Sequence, residues 1–365
     1  HKAVLVAVLR DVAHAVLGAL TDGLVGDVLA VQCDLAAADL FQTGQAVDEL
    51  GLTVALDTGK TDDLTGVHLK RDIPDCVLLV LGAVPVWSFD RAAQNNISVS
   101  VFSDEHIEAC RQTYEKLKIK PKVHVKIDTG MNRIGVRPDK AVEFIEKIRA
   151  CDFIELEGIF THFATAETES YACEQYEQFK SVVEKVDTKG LLVHCCNTAA
   201  VACYKDFDYN MARVGIGIYG LQPDLIKGAK EPFLKPAMSL KGRITNIHVA
   251  DPDEGVSYSH TFETVRKTKI ATIPIGYADG VFRGLSNKIY GIINGKKVKQ
   301  IGNITMDQMM FDITDCDAQE GDIITLLGRD CEEYIGVDEW AKILGTIHYE
   351  LTCALRVRLP RVYTR

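Results

Sequence analysis

Short apolar runs alternate with stretches in which apolar residues recur every three or four positions. Residues 4–9 read as a strand and 12–20 as an amphipathic helix. Residues 24–31 read as the next buried strand and 45–50 as helical. The run Cys-Val-Leu-Leu-Val-Leu at 76–81 stops at Gly82 and carries no polar position, as a parallel strand buried on both faces does. Strand and helix patterns then follow in turn. Strands are expected at 97–102, 123–127, 156–161 and 192–194. Helices are expected at 105–117, 138–150 and 171–186, with a short one after 194. This alternation predicts an α/β fold that begins with an N-terminal (β/α)8 TIM-like barrel. After Pro236 the period changes to two. Runs at 242–250, 269–275 and 323–327 are joined by Gly and Asp turns. A mostly β C-terminal domain is therefore expected over 236–365, with the barrel over 1–235.

Composition narrows the function classes. A net charge of −10 argues against general nucleic-acid binding. No apolar run reaches the roughly 18 residues of a membrane segment. Eleven scattered cysteines without a repeated C-x-x-C pair fit reduced thiols, with no zinc or other metal site, and no signal peptide is evident. A cytoplasmic location is the expectation. The chain starts at His1 without Met, as a processed or excised piece of a longer protein does. The composition also steps partway along. Ser first occurs at Ser88, Asn at Asn95, Tyr at Tyr114 and Met at Met131. Residues 1–100 are thus atypical. A chimeric or designed segment, side chains assigned without a dependable sequence, and a biased natural N-terminus each produce such a step.

Candidate chemistry sits at strand ends. The segment Val125-Lys126-Ile127-Asp128-Thr129-Gly130 runs from an apolar strand into a polar turn, and Arg133 follows Lys126 by seven residues. An α/β barrel offers a cation to a small anionic ligand in this way. A solvated Arg at an ordinary strand end is the plainer alternative. His162 ends the strand Gly158-Ile159-Phe160-Thr161. His194 and Thr198 follow the strand at 192–194, and Arg213 precedes a Gly-rich turn. Thr198 with the backbone N–H groups of Gly215 and Ile216 supplies the donors that a phosphate needs, although that signal alone is weak.

The β region carries Val256-Ser257-Tyr258, Ile275-Gly276-Tyr277-Ala278-Asp279, Thr305-Met306-Asp307 and His348-Tyr349-Glu350. Together with the strand-end segments, these resemble the motifs of the alanine racemases, in the family's order and over about residues 104–365. The resemblance implies a pyridoxal 5′-phosphate (PLP) enzyme that interconverts L- and D-alanine with two bases and supplies D-alanine for peptidoglycan. Tyr258 would be one base. Arg133, the Met306 backbone N–H and Tyr277 would hold the substrate. Arg213 would face the pyridine nitrogen, and Thr198, Gly215, Ile216 and Tyr349 would bind the phosphate. His162 and His194 would line the ring. Lys126 matches a lysine that the family often carries as a carbamate. The resemblance also implies a homodimer with shared active sites.

One position departs from the pattern. Aligned on the strand at 29–31, Cys33 stands where the family has its PLP-binding lysine, which is also the second base. Ala37 stands where a phosphate-binding Tyr is expected, and no Lys lies between Lys2 and Lys60. Lys60 comes too late in the family's order. Three other readings follow from the sequence: a serine/alanine racemase domain, a single-barrel PLP carrier, and a catalytically impaired relative. The β region argues against the carrier, Tyr349 favours alanine over serine, and the missing Lys favours the impaired relative.

Overall fold

In the computed structural model, residues 78–207, 209–229, 234–355, 358–360 and 362 are described, together with the backbone of two short strands, β1 (Val4–Leu5) and β2 (Val28–Leu29). β1 and β2 pair in parallel, inside the runs read as strands at 4–9 and 24–31. The helices expected at 12–20 and 45–50 lie outside the described residues, as do Cys33, Ala37 and Lys60. Contacts divide the chain into two units, with the boundary between Lys235 and Pro236.

The first unit alternates strand and helix. β3 (Leu78–Ala83), β4 (Ile97–Val101), β5 (Lys122–Lys126), β6 (Glu155–Phe160) and β7 (Leu192–His194) form a parallel sheet in that order. The helices α1 (Phe89–Gln94), α2 (Asp104–Leu117), α3 (Pro138–Arg149), α4 (Glu169–Val183) and α5 (Thr198–Cys203) intervene or follow. Two helix starts have a clear local cause. Ser103 caps α2 by accepting from the His106 N–H, and Pro138 opens α3 with its fixed φ. One sequence expectation changes. The strand read at 76–81 as buried on both faces runs over 78–83 and is half-buried. Among the described residues only β4 flanks it, and its register shifts between Val80 and Ala83.

The period-2 alternation of the strands sorts their side chains. Ile97, Val99, Val101, Val123, Val125, Ile127, Ile159 and Val193 belong to the apolar core with Ala141, Ile145, Phe179 and Val182 of the helices. Ser98, Ser100, His124, Lys126, Phe160 and His194 occupy the alternate positions and are buried too. The sheet therefore has an oily face under the helices and a second, polar face that is equally dry.

The second unit is antiparallel. β8 (Leu240–Arg243), β9 (Asn246–Ala250), β12 (Thr268–Ile273), β13 (Tyr290–Ile293), β14 (Lys296–Ile301), β15 (Met309–Asp312), β16 (Ile323–Asp330) and β17 (Glu333–Ile335) build one sheet. A separate ribbon pairs β10 (Gly255–Val256) with β11 (Phe262–Glu263), and the helices α6 (Val337–Leu344) and α7 (His348–Ala354) follow. The single run read at 242–250 is two strands, because β8 pairs with β16 whereas β9 pairs with β12. At the switch, Ile244 N–H donates to Asp322 O at 2.8 Å and Thr245 N–H to Thr272 O at 2.9 Å. Both N–H groups therefore stay paired as the chain changes partner. β13 and β14 are joined by Asn294-Gly295, both at positive φ, as a two-residue hairpin turn requires.

Candidate active site

The polar face of the first unit is organised in cross-strand rows. Lys126, Phe160 and His194 are register partners across β5, β6 and β7. The His194 ring stacks on Phe160, with centroids 4.8 Å apart and planes 6° from parallel. Lys126 Nζ lies 5.3 Å and Arg213 Cζ 5.4 Å from the Phe160 ring centre. The Phe160 ring thus packs against the Arg213 guanidinium and the Lys126 amine in a dry site, where cation–π attraction to the guanidinium is strongest.

Arg213 is the centre of the arrangement and is 0% exposed. Its backbone N–H donates to Cys196 O at 2.9 Å, which fixes it beside the strand end. Nη2 donates to Thr161 O at 2.7 Å and Cys195 O at 2.9 Å, and reaches His162 Nδ1 at 3.2 Å. Nη1 meets His194 Nδ1 at 2.7 Å. Because a guanidinium only donates, His194 Nδ1 must accept, and the His194 proton therefore sits on Nε2. That nitrogen is 3.0 Å from His124 Nδ1. Burial first, and the Arg213 charge second, hold His162 and His194 well below the ordinary histidine range. Both imidazoles are neutral at pH 7.

Lys126 is 2% exposed and donates from Nζ to Ile127 O at 3.1 Å. Burial, with Arg213 and Arg133 adding to it, lowers its pKa to about 7, and Asp128 opposes that shift. Beyond Lys126 the chain folds back. Val136 N–H donates to Lys126 O at 2.9 Å and Asp128 N–H to Val136 O at 2.8 Å. Asp128 Oδ1 accepts from Gly130 and Asn132 N–H, and a Cβ at Gly135 would meet Asp128 N at 2.7 Å. This turn carries Arg133, which is exposed and acts on Lys126 and His162 through its charge. Thr129 Oγ1 pairs with Thr161 Oγ1 at 2.7 Å, tying the turn to β6.

Thr198 and Gly215 come together, as the hydroxyl accepts from Gly215 N–H at 2.9 Å. The 3-10 turn Ile216–Tyr219 follows. Gly217 gives way to Thr198, since a Cβ there would sit 2.8 Å from Thr198 Cγ2 and 3.2 Å from Val214 Cγ1. Thr198, Gly215 and Ile216 thus form one small polar corner after Arg213.

In the second unit the candidate residues sit on braced loops. Tyr258 follows Ser257, whose φ is 66°, and precedes Ser259 and His260 at 64° and 42°. Non-Gly residues rarely adopt this region. Asn303 holds the loop there: its Nδ2 donates to Tyr258 O and its backbone O accepts from Ser257 Oγ, both at 2.7 Å. Tyr277 N–H donates to Thr305 O and Ala278 N–H to Met306 O, both at 3.0 Å, so the Tyr277 and Met306 loops are one piece. Arg358 reaches Asp307 Oδ1 at 2.6 Å and Asp279 Oδ1 at 3.5 Å across that pair of loops. Tyr349, in α7, packs against His348 with ring centres 4.9 Å apart.

His124, Glu157, Phe160 and Asn303 did not stand out in the sequence. The one available signal was His124 itself, a polar residue between two valines in an otherwise apolar strand. Among the described residues no group of three or more His, Cys, Asp or Glu side chains could hold a metal ion. No described helix is long and apolar enough to cross a membrane.

Comparison with known proteins gives a consistent result. The model of the alanine racemase N-terminal domain matches residues 30–223, and that of the alanine racemase C-terminal domain matches 237–363. The chain is 42% identical over 305 residues to alanine racemase 2 of Oceanobacillus iheyensis, covering 82% of this chain and 77% of that one. It superposes on the solved alanine racemase of E. faecalis with a TM-score of 0.81 at 28% identity, covering 97% and 95% of the two chains. The fold is also that of an alanine racemase from Bartonella henselae, solved with covalently bound pyridoxal phosphate, at a TM-score of 0.74 and 24% identity over 97% and 96% of the chains. By both domain matches and by identity over four fifths of its length, the chain belongs to the alanine racemase family.

Proposed function

We propose that the chain is a PLP-dependent racemase that interconverts L- and D-alanine. The observation that carries this reading is Arg213, fully buried between two neutral imidazoles at the strand ends of an alanine racemase fold. The donor set suits a phosphorylated pyridine. An arginine keeps its proton, so it donates to an unprotonated ring nitrogen and leaves it unprotonated. The Thr198 hydroxyl and the 215–216 backbone supply phosphate contacts on the same unit, and Tyr349 adds a hydroxyl. When bound, PLP supplies an electron sink that makes the substrate α-proton removable.

The chain's own residues do the rest. Arg133 and the Met306 backbone N–H hold the substrate carboxylate, with Tyr277 at the same loop pair. Tyr258 moves the proton at one face of Cα. A tyrosine has an ordinary pKa of about 10, and a nearby guanidinium such as Arg133 is what makes it a usable base. We place Tyr258 in the site of a second copy of the chain, in a homodimer with shared sites. Its 73% exposure, with 53% for Met306 and 43% for Tyr277, supports a surface that another chain covers.

The second base is the unsupported part, because Cys33 cannot bind PLP as a lysine does. The test is racemisation by the chain carrying Cys33→Lys, started separately from L- and D-alanine with added PLP. Both reactions are expected to converge on an equal mixture, at least ~10³-fold faster than with Cys33, as expected for loss of a positioned base. A Cys33→Lys chain that holds PLP through gel filtration yet forms no D-alanine would falsify the reading.

Lys126 is proposed to carry a carbamate. Only a neutral amine adds CO2, and a pKa near 7 leaves roughly nine-tenths of Lys126 neutral at pH 8, where an ordinary lysine is almost wholly charged. The carbamate's negative charge would lie between Lys126 and the turn bearing Arg133. In 13C-bicarbonate a carbamate resonance is expected at pH 8, fading as the pH falls below 7 and absent from Lys126→Met. A spectrum identical in the two proteins removes the assignment.

A further inference from the structure

The hydrogen bonds that leave Arg213 do not stop at His194. His194 donates from Nε2 to His124 Nδ1 at 3.0 Å, so His124 also carries its proton on Nε2. That N–H lies 3.8 Å from Glu157 Oε2, too far for a hydrogen bond, and makes none, so the carboxylate acts on it through charge. Glu157 is fixed by Lys122 Nζ at 3.1 Å from Oε1 and by the Ser98 hydroxyl on Oε2. Four side chains thus line up through the dry face of the sheet: hydrogen bonds run from Arg213 through His194 to His124, and a carboxylate's charge stands beyond the last N–H.

Two local features make this line possible. The pairing of β5 with β6 slips by one residue, since Val123 opposes Leu156 but His124 opposes Gly158. Glu157 is the extra residue of this bulge. A bulge re-aims a side chain that regular alternation would send to the other face. Leu156 and Ile159 both pack with the apolar core, whereas Glu157 contacts Ser98, Lys122 and His124 on the polar face. Next to it, Gly158 leaves the space that the imidazole fills: a Cβ there would sit 2.4 Å from His124 Nδ1 and 2.5 Å from Leu192 O. His124 is 0% exposed, and burial lowers its pKa to about 3, with the Arg213 charge adding to the effect.

We propose that Glu157 and His124 are positioning residues for Arg213. They lock His194 in the one tautomer that accepts from the guanidinium, and so fix the edge that Arg213 presents to its ligand. For the identity of that ligand the proposal rests on the racemase reading; the relay itself does not. Without an acceptor for its Nε2 proton, neutral His194 either buries an unsatisfied N–H or turns over and presents a donor to a donor. Either outcome loosens Arg213.

The test reads ring protons and turnover separately. In the full chain, labelled with 15N-histidine, His124 and His194 are both expected to show a protonated Nε2 and a bare Nδ1, unchanged from pH 6 to 9. His124→Leu should shift the His194 signals or broaden them by exchange. His124→Asn, which puts an oxygen where Nδ1 was, should restore them. Glu157→Gln keeps the shape and removes the charge, so it should move the His124 Nε2 proton resonance even if His124→Leu fails to fold. In the Cys33→Lys background, Glu157→Gln is expected to lower kcat about tenfold with KM changed less than threefold, the scale of a partner one shell from the reacting groups. A protonated Nδ1 on either ring overturns the relay. So does Glu157→Gln with unmoved histidine signals, or with kcat unchanged in an active Cys33→Lys enzyme. If the tautomers are as expected but the Cys33→Lys chain makes no D-alanine, the racemase reading fails and the relay stands.

Discussion

Arg213→Ala is expected to cost the protein both its stability and its activity. The side chain donates to two buried backbone carbonyls and to the imidazoles of His194 and His162, and its loss removes all four bonds. Each such group costs about 1–3 kcal/mol, and partial refilling by water brings the total to about 3–5 kcal/mol. Urea denaturation measures this directly. In the Cys33→Lys background, racemisation should fall by at least ~10²-fold, the scale for removing one preorganised electrostatic group. Arg213→Lys should recover part of the stability and little of the activity. A single ammonium cannot reach His194 on one side and two carbonyls on the other while presenting an edge to a ligand. An Arg213→Ala protein within 1 kcal/mol of the parent, and within tenfold in kcat/KM, rules out a central role.

Tyr258→Phe should separate the two properties. The ring is largely exposed, and the loop is held through its backbone by Asn303 and through Ser257. Removing the hydroxyl touches none of those bonds. Stability is expected within about 0.5 kcal/mol of the parent, as for other surface substitutions. Turnover in the Cys33→Lys background should drop by ~10²–10⁴-fold if the hydroxyl moves a proton. Mixing Tyr258→Phe with Arg213→Ala and allowing chains to re-pair should partly restore activity, because one site of a hybrid dimer is intact. If demonstrated hybrids stay inactive, the shared-site arrangement is wrong. If Tyr258→Phe keeps full turnover, Tyr258 is not the base.

The sequence announced the strand ends better than what supports them. Apolar runs ending in polar residues placed Lys126 at the end of β5, His162 just past β6, His194 at the end of β7 and Arg213 on the segment after α5, because a barrel strand is short, apolar and abruptly terminated. Element boundaries moved by up to three residues, as at α4 and β16. The relay was not legible. His124 sits in Val-His-Val-Lys, where one imidazole among valines reads as a tolerated core residue. Counted back from Ile159, Glu157 would face the core; the one-residue slip between Leu156 and Gly158 keeps it on the polar face, and the partner that sets a register is not written in one strand's own sequence. The division of 242–250 at Ile244 was hidden for the same reason: each half alternates correctly, but against a different partner. The Tyr258 loop uses Ser and His at positive φ, where a glycine signal would have been the guide.

The corner at Thr198 and Gly217 has a bearing on how this family can vary. The glycine is not there for backbone freedom, since its φ lies outside the left-handed region. It is there because the methyl of Thr198 occupies the space a Cβ would take. The two positions therefore share a single methyl group, carried either by a threonine at 198 or by an alanine at 217. Ala at 217 alone overfills the corner, whereas Ser at 198 keeps the hydroxyl that accepts from Gly215 and vacates the space. The two substitutions are coupled in the sense of a double-mutant cycle, each changing the cost of the other. Thr with Gly and Ser with Ala are therefore the two combinations expected to be stable, each keeping the polar contact at the corner, and the stabilities of the four variants in such a cycle measure the coupling.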